Sequence, residues 1–157
     1  MRTAQWFAFV LLLLTAAVAT AQETVTVTTP SSVGFFVTNI SMSTIGSPNP
    51  ATLSYIAAVI TPGHVLKFSV KADAAAFTPP TPGGSIAASD VSWTTSGASG
   101  GSGSPGTLSD TTWGEVFRST TLPVSGGVDL TFTLGPPAAG IHSGAHTLTM
   151  RWKIESI

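Results

Sequence analysis

Apolar residues in this chain recur at every second position, and a 3.6-residue period is nowhere sustained. Extended backbone sends alternate side chains to opposite faces, so a chain patterned this way buries its apolar half only by stacking sheets. "ETVTVTT" alternates Val25 and Val27 with Thr24, Thr26 and Thr28. "VLKFSVKA" sets Leu66, Phe68, Val70 and Ala72 against Lys67, Ser69 and Lys71. "VDLTFTL" sets Val128, Leu130, Phe132 and Leu134 against Asp129, Thr131 and Thr133. "SDVSW" adds Val91 and Trp93, and "TWGEVFRST" sets Trp113, Glu115 and Phe117 against Val116 and Arg118. "LSYIAAVI" is apolar on both faces and predicts a central strand covered on both sides. The closing "GAHTLTMRWKIESI" is the most regular stretch, with Leu148, Met150, Trp152 and Ile154 facing one way and Thr147, Thr149, Arg151 and Lys153 the other.

Breakers punctuate these runs: "GSPNP", "TPGH", "TPPTPGGS", "PVSGG" and "GPPAAG". Pro fixes φ and removes a ladder donor, and Gly admits positive φ, so each stops a strand. The pattern predicts an all-β, antiparallel β-sandwich of about seven or eight short strands. Its core is expected to contain Leu66, Phe68, Val70, Trp93, Leu130, Phe132, Met150 and Trp152. Burial of Trp152 would make Trp152→Ala cost about 3–5 kcal/mol. The Gly/Ser-rich stretch 95–109, nearly free of apolar residues, reads as a flexible loop projecting from one end.

At the N-terminus Arg2 precedes the apolar run "WFAFVLLLLTAAVA", and Ala19-Thr20-Ala21 offers small side chains where signal peptidase requires them. Residues 1–21 are therefore predicted to be a secretory signal peptide, with Gln22 as the mature N-terminus. The run falls short of the about 20 apolar residues of a membrane span, so no transmembrane anchor is expected after cleavage. The leader reads as bacterial, which places the protein in the periplasm or outside the cell and leaves the Asn39-Ile40-Ser41 sequon silent. Residues 22–157 suit a single domain. The chain ends on a strand, so no C-terminal anchor is expected and the protein is released or held by its neighbours.

Cysteine is absent, so packing alone must hold the fold. Charged residues make up 8% of the chain, against about a quarter in typical domains. Lys and Arg number six, Arg2 among them, and the rest are scattered in sequence. A phosphate-tracking surface needs clustered cations, so no nucleic-acid partner is expected. Lys67 and Lys71 share one strand face and read as a solvated face. Near-zero net charge, −1 formally, permits self-association.

No catalytic constellation stands out. His142 and His146 have the spacing that holds a metal on a helix, but "GIHSGAHTL" is a Gly-punctuated turn entering a strand, so no metal is expected. His64 lies far off in sequence. The seven acids, Glu23, Asp73, Asp90, Asp110, Glu115, Asp129 and Glu155, are isolated from one another, whereas glycoside hydrolysis needs a facing pair. "GGSGSPG" lacks the strand and helix of a nucleophile elbow. The chain is therefore read as a non-enzyme without cofactor. Trp113, after the turn "SDTTWGE", is the aromatic placed to contact a ligand by stacking.

The alternating N-terminal segment, the run of short strands and the closing "AHTLTMRWKIES" resemble bacterial secreted immunoglobulin-like β-sandwich domains of the pilus-subunit or spore-coat type. The resemblance implies an immunoglobulin-like fold and β-strand addition between subunits, in which "ETVTVTTP" fills a neighbour's groove with Val25 and Val27 as knobs. The alternative is that this segment is the first strand of its own sheet. The function expected is a secreted, non-catalytic structural or adhesive module that self-assembles or binds cell-surface and extracellular polymers. The alternative is an extracellular carbohydrate-binding module using Trp113 and the Gly/Ser loop.

Overall fold

The computed structural model describes residues 22–30, 32–79, 84–121, 124–137 and 140–157. The predicted signal peptide, residues 1–21, lies outside the described residues. The chain is all-β. Among the described residues twelve strands run in order: β1 (Thr24–Thr28), β2 (Phe35–Val37), β3 (Thr44–Ile45), β4 (Ala51–Val59), β5 (Leu66–Ala72), β6 (Val91–Ser99), β7 (Gly101–Gly103), β8 (Gly106–Thr107), β9 (Gly114–Ser119), β10 (Ser125–Leu134), β11 (Gly144–His146) and β12 (Met150–Ser156). A 3₁₀ turn, Ala88–Asp90, precedes β6.

Every strand pairing is antiparallel. The larger sheet has the order β1-β4-β10-β6-β8, and β3 continues the ladder along β10 beyond β4. The second sheet has the order β12-β5-β9-β7, and β2 with β11 forms a separate ribbon. The two main sheets share one core. Tyr55 of β4 meets Phe68 of β5 at 5.4 Å and Phe117 of β9 at 5.9 Å, centroid to centroid. Phe132 and Trp93, paired across β10 and β6, stack at 6.3 Å. Leu66, Phe68, Val70, Trp93, Leu130 and Phe132 are all buried there.

Twelve strands rather than seven or eight arise because the pattern breaks where the chain bends, and four expectations are corrected. First, the stretch 95–109 is not a projecting loop. It completes β6, crosses to the second sheet as β7, and returns to the first as β8. Gly100, at φ 65°, makes the crossing. Its carbonyl accepts bonds from the Thr120 N–H at 2.9 Å and the Tyr55 hydroxyl at 3.2 Å. The Trp93 indole N–H then bonds the Ser104 carbonyl at 2.8 Å. Gly106 lies flat on that indole, where a Cβ would come within 2.5 Å of the ring. Glycine is here because an aromatic needs the space, a reason composition does not reveal.

Second, β4 is central in its sheet but covered on one face only: Ile56 is 64% exposed. An irregularity opposite Thr24 and Val25, which pair with Val59 and Ala57, shifts the phase. It turns Val59 outward and lets Ile60 pack against the core. Third, β9 carries a bulge where Phe68 pairs with Phe117 and Ser69 with Glu115. Val116 and Phe117 are both buried, and Glu115 and Arg118 both point outward. Fourth, Met150 and Trp152 are half-buried rather than enclosed, and Ile154 is 40% exposed. β12 is an edge strand, paired with β5 alone, so no second neighbour covers its inner residues.

Candidate functional site

Five strand residues that looked scattered are collected on the outer face of the smaller sheet. Lys67 and Lys71 alternate with the inward Leu66, Phe68, Val70 and Ala72 of β5. Antiparallel register places Arg151 beside Lys71, Lys153 beside Ser69, and Glu155 beside Lys67. On the other side Arg118 pairs with Lys67 and Glu115 with Ser69. Paired residues share a face, so this surface carries every Lys and Arg among the described residues.

The acids are interleaved with the cations. Arg118 donates to both Glu115 oxygens, at 3.1 and 2.8 Å, and this bonding holds the Glu115 carboxyl below the usual range. Lys67 Nζ lies 4.0 Å from the same carboxylate. Lys153 pairs with Glu155 at 2.9 Å, and Arg151 with Asp73. Lys71 differs: its ammonium donates to the Asp110 carbonyl at 3.4 Å. Trp113 stands just before β9, at the Lys71 end of this surface. Its indole is 37% exposed, and Lys71 Nζ and Lys153 Nζ each lie 5.5 Å from the ring centroid. A cation over an indole is attracted to the negative π face. Between Lys67 and Lys71 along the same strand, Ser69 is fully buried, and its hydroxyl has no hydrogen-bond partner among the described residues.

A second polar cluster joins three segments. The Glu23 carboxylate, just before β1, accepts the Thr61 N–H at 2.8 Å and lies 3.2 Å from His64 Nδ1. His64 Nδ1 is also 3.0 Å from Ser156 Oγ of β12. Bonds from the Thr61 hydroxyl and N–H, and from the Ser156 hydroxyl, bring the Glu23 pKa down to about 2. Serine catalysis needs the hydroxyl on one imidazole nitrogen and the acid on the other. Here both meet Nδ1, so the trio is a clasp between β1, the β4–β5 turn and β12.

The remaining predicted positions are dispersed. His146 is buried, and its Nε2 lies 2.9 Å from the His142 carbonyl oxygen, so the pair is bonded ring to backbone. A carbonyl only accepts, so Nε2 carries the proton. Among the described residues no group of three or more His, Cys, Asp or Glu is placed to hold a metal. Val25 and Val27 of β1 pack half-buried against the core, with β1 paired in cis to β4 from Thr24↔Val59 to Thr28↔Ser54. Asn39 is exposed, its side-chain oxygen capping the Ser41 N–H at 2.9 Å. Among the described residues no helix is long and apolar enough to cross a membrane.

Sequence reasoning singled out Trp113 but missed its neighbours Lys71 and Lys153. The signal was present only in part: Lys67 and Lys71 share a phase, and so do Arg151 and Lys153, but nothing in either strand states that the two pair. No protein family matches this chain, and no curated protein or solved structure matches it.

Proposed function

We propose that this chain is a secreted, non-catalytic structural or adhesive module with an immunoglobulin-like sandwich fold, exported by residues 1–21 from a bacterial cell, and able to associate with copies of itself. The observation that carries this reading is the position of β1. It is an N-terminal edge strand held by β4 alone, and its knobs Val25 and Val27 are half-buried. An edge strand of this kind can pair with another copy's β4 as well as with its own.

The test uses the absence of cysteine from the chain. Thr26 and Ile56 are paired and exposed, within disulfide reach in an antiparallel ladder. Thr26→Cys chains are mixed with Ile56→Cys chains under mild oxidation. Covalent heterodimers are expected. If the mixture stays monomeric while the double variant closes internally, self-assembly through β1 is ruled out. N-terminal sequencing of the exported product should begin at Gln22.

A second reading, an extracellular carbohydrate-binding module, is favoured by one observation: Trp113 lies half-exposed on the outer face of a sheet, where an indole can take a sugar ring.

A further inference from the structure

We infer that the outer face of the β12-β5-β9-β7 sheet binds an acidic polysaccharide, a chain of uronate sugars, with one ring on Trp113 and its carboxylate between Lys71 and Lys153. This rests on the carbohydrate-binding reading and names the class of sugar.

The choice of ligand follows from three features of the face. An indole offers its π surface to the axial C–H side of a pyranose. Both nearby ammoniums are 5.5 Å from the ring centre, so an acid group on a sugar held at this indole lies within their reach. Lys153 already has Glu155 as a partner, but a neutral sugar would leave Lys71 without an anion. Lys71, whose partner is a carbonyl rather than a carboxylate, is the ammonium most ready to take the sugar's charge.

The second feature is the interleaving of charge. Lys67, Lys71, Arg118, Arg151 and Lys153 alternate across the face with Asp73, Glu115 and Glu155. A nucleic acid carries a continuous line of charge, about one per 3.4 Å of each strand, and fixed carboxylates within its track repel it. A uronate chain also carries one charge per unit, but each sits between sugar hydroxyl groups. The same carboxylates accept from those hydroxyls, while the cations meet the acid groups. The third feature is contrast. The outer face of the larger sheet presents Thr26, Thr28, Ser54, Thr94, Thr131 and Thr133, with no cation among the described residues. The surplus of positive charge is confined to the face that holds Trp113.

The test measures binding of mature protein to pentagalacturonate and pentamannuronate by calorimetry, beside cellopentaose and single-stranded poly(dT). Binding to at least one uronate is expected. It should weaken several-fold between about 0.05 and about 0.5 M salt, as screening shortens. Trp113→Ala removes the platform. Lys71→Gln with Lys153→Gln removes both charges while keeping polar side chains there, and should lower affinity about tenfold or more. Thr94→Ala on the opposite face should leave affinity unchanged. Equal binding of cellopentaose overturns the acidic class. Tighter poly(dT) binding, or uronate affinity indifferent to both lysines, overturns the site. If no uronate binds while cellopentaose does, the sugar-binding reading stands and this inference fails; if neither binds, both fail together. Circular dichroism of each variant confirms that the fold is kept.

Discussion

Tyr55 is the single tyrosine of the chain, and burial against Phe68 and Phe117 raises its phenol pKa above the ordinary 10.0. The neutral phenol is the form the core accommodates, so its contribution is complete below pH 10 and is lost as pH rises through the higher folded value. An ultraviolet titration of phenolate should therefore show ionisation above pH 10, together with loss of near-ultraviolet dichroism. Titration at the free-tyrosine value with the fold intact would contradict it. Glu23 behaves in the opposite sense. Its pKa is lowered from 4.5 to about 2, so its clasp is complete above pH 4.5 and is lost as pH falls toward 2. Glu115, also lowered, adds in the same direction. Glu23→Gln should make the melting temperature less sensitive to acid between neutral pH and pH 3, without abolishing the dependence, because Glu115 remains. The burial of Tyr55 and the exposure of Ile56 were not told apart in the sequence, because "LSYIAAVI" is apolar in both phases. The Glu23 clasp was not legible either, because Thr61, His64 and Ser156 meet it only when both ends of the chain come together.

At the scale of elements, alternation reported which residues face inward as long as the ladder ran straight. β5 and β10 follow the written pattern, with Phe68, Val70, Leu130 and Phe132 all buried. It failed at irregularities. The bulge in β9 inserts Val116, buries it beside Phe117, and brings Arg118 round to Glu115. A bulge changes phase by one residue, and a period-two reading then assigns the wrong face to everything beyond it. Tryptophans divide by element as well. Trp93 sits in β6, paired on both sides by β10 and β8, whereas Trp152 is in an edge strand. Urea unfolding should find Trp93→Ala costing about 3–5 kcal/mol and Trp152→Ala about half of that. Gly106→Ala should cost about 1–3 kcal/mol, since its new methyl meets the Trp93 ring. A neutral Gly106→Ala would mean that β8 does not lie on the indole.

For the molecule as a whole, the segment read as flexible is what ties the two sheets together. β6, β7 and β8 run from one sheet to the other and back, and Ser104 N–H to the Val116 carbonyl at 2.9 Å and Leu108 N–H to the Val91 carbonyl at 2.8 Å close the crossing. Hydrogen exchange over 101–108 should accordingly be slow, nearer to that of β10 than to that of the exposed 38–43 segment; exchange as fast as in 38–43 would restore the loop reading. The sequence by itself determined that the chain is all-β, which strands are amphipathic, and that packing rather than disulfides holds them, because period and composition are local properties written in consecutive residues. Only the tertiary structure decided which strands are neighbours, and with that the gathering of five separated cations on the face that holds Trp113, the sheet-crossing path of 95–109, and the edge position of Trp152. Pairing joins residues far apart in the chain, and no local pattern encodes the partner.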